Sequence, residues 1–140
     1  ERLTKKRKVV LLTLLKSKKA ISAYEIVDHC KSYFGEAIPV MSIYRILHFL
    51  QQQGLARKLE VAKKYVAFSH NLLNQPHSQL LICNKCDHVE EIEIEPLAFI
   101  KLQDVINDSG FRLSSQQLEL IGTCNQCISS ESDIDKNKQL

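Results

Sequence analysis

Four cysteines in this 140-residue chain are spaced for metal chemistry: Cys83-Asn-Lys-Cys86 and Cys124-Asn-Gln-Cys127. Two residues between thiols place both sulfurs on one side of a tight turn, and two such turns complete a tetrahedral four-sulfur zinc site with bonds of ~2.3 Å. One pair alone would be weak support. Two pairs separated by residues 87–123 are far more specific, although so long an interval requires a whole subdomain to fold between the halves of the site. The competing chemistries are two disulfides or two redox pairs. Disulfides are disfavoured because nothing marks the chain as secreted, and a redox pair should follow the strand of a thioredoxin-like unit, a pattern not found here. His88-Val-Glu90 ahead of Cys124 and Cys127 also traces the outline of a zinc deaminase, in which a Glu shuttles protons while one His and two Cys hold a catalytic zinc. That signature expects Pro where Thr123 stands and leaves Cys83 and Cys86 without work. No enzymatic activity and no small-molecule substrate are therefore expected. The fifth cysteine, Cys30, falls on the apolar side of a helical pattern and reads as a small buried hydrophobe.

The net charge of +3 conceals a division that matters more than the total. Residues 1–70 carry 14 Lys and Arg against 5 Asp and Glu, whereas residues 71–140 carry 5 against 11. The basic half is the one that should meet a polyanion, and the acidic half is the one that holds the cysteine pairs. We expect a DNA-binding domain over residues 1–70, a hinge over 71–77 whose Asn and Pro residues end regular structure, a second domain over 78–128, and a polar, disordered tail over 129–140. The basic start followed by the apolar run Val9 to Leu15 imitates a signal peptide, but Lys16, Lys18 and Lys19 follow at once with no small-residue cleavage site. Seven residues are also far short of the ~20 that a membrane-spanning helix needs. No membrane partner is expected, and the location is expected to be cytoplasmic.

The elements that must position the basic residues can be read from periodicity. Val10, Leu11, Leu14 and Leu15 recur at three- and four-residue spacing, with Lys5, Lys8 and Lys16 on the opposite face of the same helix. Ser22-Ala-Tyr-Glu25 fits a capping box at the start of a second helix, which buries Ile26, Val27 and Cys30. Pro39 opens a third, with Val40, Ile43, Leu47 and Leu50 as its buried stripe and Gly54 as its left-handed stop. Its other face shows Ser42, Tyr44, Arg45, His48 and Gln52. From Leu55 to Phe68 the pattern changes to two short strands around a turn tipped by Lys63 and Lys64. Three helices followed by a basic-tipped hairpin is the order of a winged helix-turn-helix, whose third helix enters the major groove while the hairpin lies along the backbone. Arg45 has the chemistry to read guanine and Tyr44 to meet phosphate or a thymine methyl; His29 and His48 fall at solvated positions.

The acidic half reads as strands Leu80–Ile82, Val89–Glu95 and Leu118–Ile121, with one helix from Pro96 to Gly110 whose stripe is Ala98, Leu102, Val105 and Ile106. The fold class is thus α+β, an N-terminal winged helix-turn-helix followed by a small α/β domain tied by zinc. That second domain has too little core to be comfortable alone. Pairing with a second copy would remedy this and supply the two-fold symmetry that a helix-turn-helix usually needs.

Leu3-Thr4 with Arg7, Ile21-Ser22-Ala23-Tyr24-Glu25, Ser42-Ile43-Tyr44-Arg45-Ile46-Leu47, Gln53-Gly54-Leu55 and the two cysteine pairs together resemble the ferric uptake regulator family of bacterial metal-dependent repressors. Tyr24-Glu25 and Gln75-Pro76-His77 look most like its zinc uptake regulator branch. The resemblance implies a dimeric repressor that binds operator DNA of metal-uptake genes when metal-loaded, contacting it through Tyr24, Ser42, Tyr44, Arg45, Lys63 and Lys64. It implies structural zinc on Cys83, Cys86, Cys124 and Cys127, and a second, regulatory metal, expected to be zinc, near the hinge. His70, His77 and Glu91 stand where regulatory ligands would be, with Glu60 and His88 in reserve. Where the zinc branch usually has a His at the start of the wing and a Cys at its end, this chain has Arg57 and Phe68 or Ser69. The alternatives are an iron- or manganese-responsive member of the family and a constitutive DNA-binding protein with structural zinc only.

Overall fold

A computed structural model describes residues 3–60, 63–68, 78–114 and 118–130. The chain divides into two compact units, Glu1–Gln75 and Pro76–Leu140. Among the described residues no helix is long and apolar enough to cross a membrane.

The first unit is built from α1 (Lys5–Lys16), α2 (Ala23–Phe34), α3 (Val40–Gln52) and a hairpin of β1 (Ala56–Leu59) and β2 (Lys64–Ala67). Thr4 caps α1 by accepting the Arg7 N–H at 3.4 Å. The buried side of α1 is Val9, Val10, Thr13 and Leu14, with Leu11 half-buried and Leu15 left 38% exposed. The expected stripe is thus turned by about one residue. Thr13 can take the inner place because its hydroxyl donates to the Val9 carbonyl at 2.8 Å and lies 3.4 Å from Cys30 Sγ, so no polar atom is stranded. The α2 capping box forms in full: Ser22 Oγ accepts the Glu25 N–H, and Glu25 Oε1 accepts the Ser22 N–H, both at 3.2 Å. Gly35 ends α2 at φ +65°, the left-handed conformation that costs glycine nothing. Val27 is half-buried rather than buried.

On α3 the core side is wider than expected: Ile46 and Phe49 join Ile43, Leu47 and Leu50, while Val40 is half-buried. The hairpin is antiparallel with Ala56 opposite Ala67 and Leu59 opposite Lys64. It is tied to the helices by Ile21, which exchanges backbone hydrogen bonds with Tyr65 at 3.1 and 2.8 Å. All three helices and the hairpin contribute to one core.

The second unit is a three-stranded sheet, β4-β3-β5, with β3 (Ser78–Cys83), β4 (Val89–Glu93) and β5 (Glu119–Gly122). β3 runs antiparallel to β4 and parallel to β5, and α4 (Pro96–Asp108) lies in the crossover. Gln79 is fully buried, and its side-chain oxygen accepts the Leu118 N–H, which holds the approach to β5 against β3. The stripe expected on α4 is corrected here. Phe99 is the buried residue, with Gln103 and Ile106 half-buried one and two turns on, while Ala98, Leu102 and Val105 are exposed. Apolar residues occupy most of the helix circumference, so periodicity alone did not select the side that Phe99 anchors. A further helical turn covers residues 125–130, so Ser129 and Ser130, expected in a disordered tail, continue that helix.

Candidate metal centre and nucleic-acid face

The sheet builds the cysteine cluster. β3 ends at Cys83, whose N–H donates to the His88 carbonyl at 2.8 Å and whose carbonyl accepts the Asp87 N–H at 3.1 Å, closing the turn that carries Cys86. Asp87 completes it at φ +63°, a left-handed conformation that Asp tolerates better than most residues. The Asn84 N–H donates to the Gly122 carbonyl at 2.8 Å, which brings the end of β5, and with it Cys124, against the same turn. The parallel pairing of Cys83 with Gly122 is therefore what spans the long interval between the two pairs. Cys127 arrives on the helical turn that follows.

The four Sγ atoms all lie within 4.8 Å of one another. Cys83 and Cys127 are 3.8 Å apart and Cys86 and Cys124 3.6 Å apart. A tetrahedral zinc with ~2.3 Å bonds requires sulfur–sulfur edges of ~3.8 Å, so the donor set fits that ion. Disulfides, with sulfurs ~2.05 Å apart, are not what these residues form, and both of these contacts join one Cys-x-x-Cys to the other. The Cys124 and Lys85 N–H groups point at Cys83 Sγ, at 3.3 and 3.4 Å. Backbone hydrogen bonds, that of Cys124 foremost, hold the Cys83 thiol down at about 6, whereas the Cys127 thiol, facing Cys124 first and half-buried beside Cys83 and Cys86, is pushed up to about 12. Four crowded thiols resist ionising together, and a dication supplies the missing charge.

His88 is not part of this cluster. Its Nε2 lies 3.0 Å from Glu90 Oε1, and four sulfurs form a closed site with no position for the water that a deaminase requires. Glu91 stands on β4 opposite Leu80, half-buried, and Glu60 lies 3.4 Å from Lys63. His70 and His77 lie outside the described residues, as does the hinge. Among the described residues the four cysteines are the one group of three or more ligating side chains able to share an ion.

In the first unit the outward face of α3 carries Arg45 and His48, both exposed, and Tyr44, 41% exposed, with Ser42 half-buried at its margin. Tyr24 is 67% exposed on the first turn of α2. Lys63 is exposed at the hairpin tip at φ +56°; Lys64, expected beside it on the turn, begins β2 with its ammonium 3.9 Å from Glu25. Burial, and after it Tyr44, raises the Tyr65 phenol, which marks how closely α3 and the wing approach one another. Arg7 serves packing, its guanidinium stacked 3.7 Å above the Phe49 ring. His29 is half-buried rather than solvated, edge-on to Tyr33 with ring centroids 5.1 Å apart. Residue type alone passed over Met41, which shares the outward face of α3 and is 64% exposed; the signal was its position four residues before Arg45.

A profile of the ferric uptake regulator family matches residues 1–121. The chain is 33% identical over 132 residues to the zinc uptake regulation protein of Escherichia coli (strain K12), covering 93% of this chain and 75% of that protein. It is 27% identical over 128 residues to the ferric uptake regulation protein of Campylobacter upsaliensis, covering 89% and 78%. Among solved structures it is similar to a zinc uptake regulator complexed with zinc and DNA, with a TM-score of 0.73 and 30% identity over 94% of this chain and 86% of the other. It is likewise similar to holo XcZur, with a TM-score of 0.71 and 32% identity over 91% and 87%.

Proposed function

The chain belongs to the ferric uptake regulator family, and from that premise we propose that it is a zinc-sensing, dimeric transcriptional repressor that binds operator DNA of metal-uptake genes when metal-loaded. The observation that carries this reading is one chain's combination of a winged helix presenting Tyr44 and Arg45 with a four-sulfur centre that suits zinc. The match to the zinc uptake regulation protein, at higher identity than the ferric one, supports zinc as the sensed ion.

In this reading residues 1–70 bind DNA, residues 71–77 are the hinge and residues 78–128 pair two copies. Arg45, with Ser42 and Tyr44, enters the major groove, while Lys63 and Lys64 meet the backbone and Tyr24 adds a further contact to DNA. The sulfur centre holds the fold of the second unit, and a regulatory ion on His70, His77 and Glu91 fixes the angle between units. An ion that binds only the DNA-competent arrangement shifts the population toward it in proportion to its differential affinity. The family acts in transcription and not as an enzyme, and a cytoplasmic location goes with this role.

The test is to measure metal content and operator binding on one sample before and after mild chelation, then to restore zinc, ferrous iron or manganese singly. Zinc alone should restore binding. Recovery with iron or manganese reassigns the sensed ion, and equal binding throughout leaves a constitutive DNA-binding protein. His77→Ala should keep the tightly held zinc and the dimer yet raise the zinc concentration needed for DNA binding at least about tenfold, ~1.4 kcal/mol. A variant that responds to zinc as the parent does removes His77 from the sensing site.

A further inference from the structure

Ile43, Leu47 and Leu50 define the core side of α3, and at 3.6 residues per turn the direction opposite to them falls among Met41, Arg45, His48 and Gln52. Met41 is on the first turn of the helix and, four residues before Arg45, within about 40° of it around the axis. An apolar side chain 64% exposed at this place contributes nothing to the core. A thioether has no donor to offer a phosphate and is a weak acceptor, so the charged backbone is closed to it. In the major groove the one apolar group that a base pair presents is the thymine 5-methyl, and the N-terminal residues of a recognition helix are those that reach base edges.

We propose that Met41 is a specificity-determining residue that reads a thymine methyl, one or two base pairs from the base that Arg45 addresses. The spacing follows from helix geometry: four residues advance ~6 Å along the axis, and base pairs stack ~3.4 Å apart. The unbranched side chain can settle on the methyl without a fixed rotamer, beside a guanidinium that supplies the hydrogen bonds. This inference rests on the DNA-binding reading above and adds to it the identity of a base.

The test uses the full chain loaded with zinc. Random-sequence duplexes are selected for binding, and each thymidine of the enriched site is then replaced singly by deoxyuridine, which removes the methyl group and nothing else. At one position the replacement should weaken the parent and Met41→Leu about fourfold, as expected for one buried methyl, while Met41→Ala binds both duplexes alike. Alanine is the best helix former and the position is exposed, so this variant keeps its fold. Full discrimination retained by Met41→Ala, or a parent indifferent to every replacement, would overturn the proposal. If selection enriches no sequence at all, the DNA-binding reading fails, and the inference with it.

Discussion

The two units reach stability by different routes. Among the described residues, all but four of the buried apolar side chains belong to the first unit; the exceptions are Leu80, Ile82, Cys83 and Phe99. The first unit closes three helices and a hairpin over a continuous core. The second leaves Leu97, Ile100, Val105, Phe111 and Ile121 about half or more exposed. What it lacks in core must come from the sulfur centre and from a second copy. In the proposed reading the same contrast divides the labour: the unit with its own core reads DNA, and the metal-dependent unit pairs.

The largest expected effect strikes the second unit. Structural zinc contributes on the order of 10–16 kcal/mol of apparent binding free energy, which in such domains is folding free energy. Cys83→Ser, or the same change at Cys86, Cys124 or Cys127, should therefore lose the tightly held zinc and the dimer together while the first unit keeps its helical signal. A zinc-loaded dimer from such a variant would break the comparison. Cys30 supplies the control: it is fully buried, its thiol is pushed up chiefly by burial, and Cys30→Ser should leave zinc content unchanged. Zinc affinity should also fall with acid, and fall more steeply below about 6, where Cys83 adds one more proton to be displaced. Competition with a chelator across pH measures that slope.

Next in size is a pair of apolar substitutions with opposite readouts. Leu47→Ala hollows the first core and should cost about 2–5 kcal/mol, seen as an earlier unfolding transition with zinc still bound. Val105→Glu lies on the open side of α4, 67% exposed, and should change the stability of one chain by no more than about 0.5 kcal/mol. If that side is covered by a second copy, sedimentation should nevertheless show the dimer dissociating. A dimer of parental strength would mean that the open side of α4 is not where two copies meet.

Much of this contrast is legible in the sequence. Capping, glycine stops and a clean stripe identified α2 and α3, and the two cysteine pairs stated their own purpose. What sequence could not show was phase where both choices were chemically acceptable. On α1 the hydroxyl of Thr13 is satisfied by its own helix, so a polar residue took the inner place and Leu15 turned outward. On α4 apolar residues surround the helix, and only contact with the sheet selects Phe99. The parallel pairing of β3 with β5 joins residues about 40 apart in sequence, a pairing with no local signature. Met41 carries no local signal either, because an apolar residue on α3 reads as core until its direction around the helix is counted.

A smaller effect separates two kinds of DNA contact on the first unit. Arg45→Ala should cost about 1–3 kcal/mol on the specific site and relax sequence preference. Lys63→Ala, at the hairpin tip, should weaken specific and random duplexes equally and lower the salt slope by about 1. Equal loss on both kinds of duplex for Arg45→Ala would argue against base readout. In neither case should zinc content move, since all four sulfur ligands belong to the second unit.

The smallest change asks whether the units unfold separately. Ser22 caps α2 through the Glu25 N–H, and Glu25 returns the bond while its Oε1 also lies 3.9 Å from Lys64 Nζ at the start of β2. Ser22→Ala removes one of the reciprocal bonds and should cost about 1 kcal/mol. Glu25→Gln keeps an acceptor for the capping box and loses only the partly exposed ion pair with Lys64, so it should cost less than about 1 kcal/mol. Both effects stay within a unit that has its own core, so calorimetry should show that unit's transition moving by that amount and the zinc-dependent transition staying in place. A shift of both transitions together would mean that the two units share their stability, and that the sulfur centre supports the DNA-binding half as well as its own.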